Sequence, residues 1–143
     1  MTIQFKRIGI HELPIPNRAT DFSAGLDLRA AVDMQVPAGG FAMIPTGFAV
    51  GLNQWRVGLV CPRSGLAAKH GITVLNAPGV IDADYRGEIC VLLHNTTDRD
   101  FQVVAGDRIA QLVVTDYFGV SPVEVDNLPE TDRGQGGFGS TGR

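Results

Sequence analysis

Asp82 and Asp84 stand two residues apart and Tyr85 follows at once, inside the stretch Ala77-Pro78-Gly79-Val80-Ile81-Asp82-Ala83-Asp84-Tyr85-Arg86-Gly87-Glu88-Ile89. A carboxylate here can accept hydrogen bonds and take a proton. A tyrosine beside it offers a flat apolar face with a polar tip. Pro78-Gly79 before the acids and Gly87 after them carry turn chemistry at both edges. Apolar runs flank the stretch, Ile72 to Leu75 and Ile89 to Leu93. The pattern predicts two strands joined by an elaborated hairpin, with the acids and the tyrosine at the strand ends, where a pocket can form.

Three other segments carry candidate chemistry. Pro62-Arg63-Ser64-Gly65-Leu66-Ala67-Ala68-Lys69-His70-Gly71 predicts a short helix capped by Ser64 and ended by Gly71. It is either an ordinary capped helix or an anion site built from Arg63, the Ser64 hydroxyl and free backbone N–H groups. In Leu26-Asp27-Leu28-Arg29-Ala30 strand alternation puts Asp27 and Arg29 on one face, solvated or functional, with Leu26, Leu28 and Ala30 on the other. Gln111 interrupts the apolar run Ile109 to Val114, as a satisfied half-buried amide or as a ligand contact. The tail from Arg133 to Arg143 holds five glycines, two arginines and Phe138. It cannot bury enough apolar surface to fold alone, so it is a floppy tail or a lid that orders on a ligand.

The elements that must position these residues read as strands. Ile3 to Ile8 opens the chain as a strand. Met34–Val36, Phe41–Ile44, Phe48–Leu52, Val57–Cys61, Phe101–Val103 and Val123–Val125 are further candidates, punctuated by Pro37-Ala38-Gly39-Gly40 and Pro45-Thr46-Gly47. Short strands at this spacing predict an all-β sandwich or barrel. Glycine, at 18 of 143 residues, is well above the average of about 7% and points the same way.

The chain is long enough for one domain with a core that needs no disulfide or structural metal. Its charged fraction of 19% is low, which predicts that part of the surface is covered in an oligomer. A net charge of −3 with no basic run excludes long nucleic acid as a partner. Cys61 and Cys90 lie in apolar runs and read as buried reduced thiols. No apolar run reaches membrane-spanning length and no signal core opens the chain, so a cytoplasmic protein is expected. The three histidines and two cysteines show no zinc spacing, and no P-loop, dinucleotide fingerprint or nucleophile elbow is present.

Taken in order, five segments closely resemble the motifs of the trimeric dUTPase family, the deoxyuridine 5′-triphosphate nucleotidohydrolases. They are Ala24-Gly25-Leu26-Asp27-Leu28-Arg29-Ala30, Pro62-Arg63-Ser64-Gly65-Leu66, Gly79 to Gly87, Gly106-Asp107-Arg108-Ile109-Ala110-Gln111, and Arg133 to Gly142. The resemblance spans nearly the whole chain. It implies an all-β, jelly-roll-like β-barrel with one short helix and a flexible Gly-rich C-terminal arm. Residues 1–132 would form the barrel domain and 133–143 the lid. It further implies a homotrimer with active sites shared among three chains, and hydrolysis of dUTP to dUMP and pyrophosphate by water attack on the α-phosphorus. Such an enzyme supplies dUMP and keeps uracil out of DNA.

The resemblance also implies residue roles. Asp82 matches the acid that activates water and contacts the 3′-hydroxyl. Tyr85 matches the tyrosine under deoxyribose, which leaves no room for a 2′-hydroxyl. Asn76, with backbone near Val80 and Ile81, would read the uracil edge. Arg63, Ser64, Gly65 and Gln111 would hold phosphates, and Asp27 would stand near the water shell of a Mg²⁺ carried mainly by the substrate. In the arm, Arg133 would bind distal phosphates, Phe138 would lie over uracil, and Ser140 with Thr141 would reach the γ-phosphate. Asp84 reads as a hairpin brace. Two other readings compete. A dCTP deaminase-like enzyme would need a different base pocket, which the intact Tyr85 segment and the Gly-rich arm argue against. A non-catalytic trimeric regulatory protein would be favoured by loss of Asp82 or the arm, and both are present.

Overall fold

Strict alternation along one strand sets the first sheet. In β8 (Glu88–Asn95), Ile89, Val91 and Leu93 are fully buried while Cys90, Leu92 and His94 face outward. β8 pairs antiparallel with β4 (Phe41–Gly51) and β6 (Ile72–Val74), and β1 (Gln4–Arg7) completes the order β1-β4-β8-β6. The computed structural model describes residues 2–137. A second antiparallel sheet has the order β2 (Leu26–Arg29), β10 (Arg108–Asp116), β5 (Arg56–Cys61), β7 (Gly79–Ile81). β3 (Met34–Val36) and β9 (Phe101–Val103) form a separate ribbon, and α1 (Ser64–His70) is the single helix among the described residues. The core lies between the sheets, with Leu28, Val60 and Leu112 from one meeting Ile44, Val91 and Leu93 from the other. The fold is thus mostly β, but strand pairing leaves both sheets open and closes no barrel among the described residues.

Long-range pairing revises several local expectations. Phe41–Ile44 and Phe48–Leu52 are one strand of 11 residues rather than two. Pro45-Thr46-Gly47 bends it as a bulge, with a register shift between Pro45 and Ala49 and a positive φ of 76° at Gly47. The bulge is pinned to β8: Thr46 Oγ1 donates to the Ile89 carbonyl at 2.7 Å and the Gly47 N–H to Glu88 Oε1 at 2.7 Å. Val123–Val125 forms no strand; its valines find no partner strand and remain exposed. Ser64 does not cap α1. The capping position is Arg63, in extended conformation, and no side chain caps the helix, although Gly71 ends it in the left-handed region as expected. Cys61 and Cys90 are free but only half-buried, because Cys90 sits on the outward face of β8. Among the described residues no helix is long and apolar enough to cross a membrane.

The expected hairpin is more elaborate than a hairpin. β6 and β8 do pair, Ile72 opposite Asn95 and Val74 opposite Leu93. The chain between them leaves that sheet, and β7 joins the edge of the second one, with Gly79 opposite Val60 and Ile81 opposite Gly58. Gly79 permits this close approach, since a Cβ there would lie 3.3 Å from the Val60 Cβ.

Asn95 locks the far end of β8. It is fully buried, donates through Nδ2 to the carbonyls of Val36 (3.2 Å) and Arg99 (2.7 Å), and accepts at Oδ1 from Thr97 N (3.0 Å) and Thr97 Oγ1 (2.8 Å). Asn95→Ala strands these buried partners and is expected to cost about 2–4 kcal/mol. The check is the urea midpoint at fixed protein concentration.

Candidate active site

The first group of site residues gathers where β2, β10 and β5 end together. Register places Asp27 opposite Gln111 and Gln111 opposite Cys61, so Pro62 and Arg63 continue directly past the cluster. Gln111 Nε2 donates to the Pro62 carbonyl at 3.0 Å, and Arg63 Nη1 donates to the Arg108 carbonyl at 2.8 Å. The Asp27 carboxylate lies 3.2 Å from Arg108 Nη1 and 3.8 Å from Arg63 Nε. Its side chain is only 15% exposed, so it is a partly buried acid shared by two guanidinium groups and not the solvated one that alternation alone suggests. Arg29, its strand neighbour, instead donates to the Gly106 carbonyl at 2.7 Å. Gly25 makes room for the amide, since a Cβ there would meet Gln111 side-chain atoms at 3.0 Å and closer. Ser64 keeps its hydroxyl free of capping, and the space beside Gly65 is open. One acid against two arginines leaves net positive charge beside a hydroxyl and the unpaired amides of a first helical turn. That arrangement suits an anion.

Arg108 is the member that sequence reading missed. In a regular strand, a spacing of three puts Arg108 and Gln111 on opposite faces. A bulge between Arg108 and Ala110 breaks the alternation and lets Arg108 reach Asp27. The signal was present in Gly106-Asp107-Arg108, a turn leading into the strand, but the bulge is visible only once β2 is paired.

The second group surrounds β7 and the turn after it. An open depression of about 500 Å³ is lined by Met43, Val80, Ile81, Asp82, Tyr85, Glu88 and Cys90. The Tyr85 N–H donates to the Asp82 carbonyl at 3.1 Å, closing a turn that holds Asp82 at the end of β7. Tyr85 Oη donates to the Glu88 carbonyl at 3.0 Å. Arg86 braces this turn, through Nη1 to the carbonyls of Ala83 (2.7 Å) and Tyr85 (2.8 Å). Because β7 is an edge strand, the side of Val80 and Ile81 away from β5 presents unpaired backbone groups. Asn76 folds close over Gly79, where a Cβ would lie 3.2 Å from its Nδ2. Burial, and then the neighbouring Glu88 carboxylate, push the Cys90 thiol above the usual range, so it stays protonated at neutral pH.

The two groups do not meet within one chain. β7 runs antiparallel to β5, and Ile81 faces Gly58. Continuing that register, Asp82 lies level with Val57 near the start of β5, while Arg63 lies beyond its other end. Six residues of extended chain at about 3.3 Å each separate them by roughly 20 Å. Arg133 joins neither group: its Nε donates to the Gly136 carbonyl at 2.8 Å, within its own exposed turn. Phe138, Ser140 and Thr141 lie outside the described residues.

The dUTPase family profile matches residues 11–142 of the chain. The protein belongs to the dUTPase family. Curated relatives agree. The deoxyuridine 5′-triphosphate nucleotidohydrolase of Dictyoglomus turgidum is 51% identical, with 92% of each chain covered. That of Caulobacter vibrioides is 50% identical, covering 99% of this chain and 95% of its own. Among solved structures, the dUTPase of Staphylococcus bacteriophage 80alpha with dUPNHPP superimposes with a TM-score of 0.92 at 25% identity, with 99% of each chain covered.

The family resemblance implies Mg²⁺, and the donor set decides how this dUTPase fold could use it. No group of three or more His, Cys, Asp or Glu side chains among the described residues could hold a metal. Asp27 is already balanced by Arg63 and Arg108. Asp27, a carboxylate held beside a cluster that suits an anion, is a donor that could face the water shell of a metal brought in on such an anion.

Proposed function

We propose that the protein hydrolyses dUTP to dUMP and pyrophosphate at sites shared between copies of the chain in a homotrimer, and so acts in nucleotide metabolism in the cytoplasm. One observation carries this reading. The residues that match the family's substrate contacts form two half-sites, each locally ordered, at opposite ends of β5. A nucleoside triphosphate needs both at once. A partner copy can supply the missing half, and the surface is built to receive one. On the outward face of the first sheet Phe41 and Met43 are 59% and 60% exposed. Met43 belongs both to this apolar face and to the depression around Asp82, which Val80, 59% exposed on β7 of the second sheet, also lines. In the finer architecture, the two open sheets correspond to the jelly-roll-like barrel of the family.

In the assembled site, uracil lies against the free backbone edge of Val80 and Ile81, with Asn76 beside it. Such an edge rejects cytosine, whose amino group would face a donor. Tyr85 packs under the sugar. Asp82 accepts from the 3′-hydroxyl and from the attacking water, and takes the water's proton as the oxygen reaches the α-phosphorus. The partner's cluster of Arg63, Ser64, Gly65 and Gln111 holds the phosphates, and pyrophosphate leaves from that side. Phosphoryl transfer asks mainly for such positioning and charge neutralisation. Mg²⁺ bound to the triphosphate would neutralise further charge, with Asp27 oriented toward its water shell. Arg133, Phe138, Ser140 and Thr141 belong to an arm from residue 133 onward that closes over the nucleotide.

Subunit mixing tests the shared site. Asp82→Asn and Arg63→Ala chains, each inactive alone, are co-expressed and purified together. Random assortment would then give intact Asp82–Arg63 pairs in roughly one site in four, read as recovered pyrophosphate release. No recovery would place both residues in one chain's site and overturn the proposal.

A further inference from the structure

The assignment of Tyr85 to the sugar raises a question of aim: a ring that excludes a 2′-hydroxyl by contact must be held in place. Tyr85 is 43% exposed and no core packing holds it. Two features fix its hydroxyl end. Its Oη donates to the Glu88 carbonyl at 3.0 Å. Beneath it lies Gly87, where a Cβ would stand 2.6 Å from the ring Cζ and 3.0 Å from Cε2. All three of the nearest atoms to that Cβ position belong to Tyr85. The backbone φ of Gly87 lies outside the left-handed region, so the backbone itself accepts an L-residue. The nearest obstacle to a side chain at position 87 is therefore Tyr85 itself.

Resting on that assignment, we propose that Gly87 is a positioning residue for sugar discrimination: by lacking a side chain it seats the Tyr85 ring, with the Glu88 carbonyl as the stop. The stop is itself anchored. Glu88 begins β8, and its Oε1 accepts the Gly47 N–H of the β4 bulge at 2.7 Å. The tyrosine hydroxyl is thus referred to the first sheet, while Asp82, three residues earlier, is fixed by β7 to the second. A methyl group at position 87 would lift the ring off this seat toward solvent. The hydrogen bond to Glu88 would break, and the space the ring denies to a 2′-hydroxyl would open.

A double-mutant cycle on the full chain tests this, with dUTP and UTP turnover measured side by side for wild type, Gly87→Ala, Tyr85→Ala and the double variant. Gly87→Ala is expected to lower the dUTP-to-UTP ratio of kcat/KM by about tenfold or more. In the Tyr85→Ala background the same change is expected to have no further effect, because the ring it displaces is gone. If Tyr85→Ala leaves the ratio unchanged, the sugar assignment itself fails. If Tyr85→Ala relaxes selectivity and Gly87→Ala does not, the seat fails and the assignment stands. Equal effects of Gly87→Ala in both backgrounds would also overturn the seat. Should Gly87→Ala fail to fold, rescue by Tyr85→Ala supports the collision, and failure of both variants to fold overturns it.

Discussion

Asp82→Asn is expected to cut pyrophosphate release from dUTP by roughly 10²–10⁴-fold, the usual share of a general base, while nucleotide binding survives. The side chain is isosteric, and its carbonyl oxygen still accepts from a sugar hydroxyl or a water. What it loses is the capacity to take the proton. The local structure supports a clean substitution. Asp82 is exposed at the end of β7, and the turn that holds it uses its main-chain carbonyl, with Tyr85 N at 3.1 Å. The measurement is kcat beside the dissociation constant of a non-hydrolysable dUTP analogue. A fall in kcat with affinity preserved assigns the water to Asp82. A fall in affinity with kcat preserved would confine it to the 3′-hydroxyl, and near-normal turnover would remove it from both roles.

That prediction was legible in the sequence because the relevant geometry is local. Asp82, the turn and Tyr85 span four residues bounded by glycines, and alternation from Ile89 onward places β8 correctly. The half-sites were harder to read because register decides them. Whether Arg108 points at Asp27 depends on one bulge in β10. Whether the Asp82 segment sits beside β6 or crosses to β5 depends on which edge β7 finds, and the apolar residues of Gly79–Ile81 suit either. The Pro45-Thr46-Gly47 group carried strong turn signals, yet two hydrogen bonds to β8 turned a break into a bulge. In the other direction, Val123–Val125 has the composition of a strand and no strand, because β composition without a partner ladder does not fix conformation. The five motifs are each local. Their distance from one another is not, and that distance argues for assembly between chains.

Truncation after Asp132 carries the second large effect, and it separates catalysis from assembly. The residues before the cut support the fold without the arm: among the described residues the exposed turn at Arg133 hydrogen-bonds within itself, with Gly136 N to the Arg133 carbonyl and Gly134 N to the Thr131 carbonyl, each at 3.0 Å. Gly134 adopts a positive φ of 49° to make it. Among the described residues none of this turn belongs to the core cluster, so the shortened chain is expected to keep its secondary structure and its oligomeric state. Its turnover is expected to fall about 10³-fold or more, the range associated with removing an arginine that neutralises a transferring phosphoryl group. Arg133→Ala in the full-length chain separates the two components of that loss. If charge dominates, the single substitution reproduces most of the fall in kcat. If closure over the base dominates, the substitution is mild and the truncation severe, with the loss shared between kcat and KM. Unchanged turnover in the truncated chain would leave the arm without a catalytic role, and loss of assembly would assign it to the interface instead.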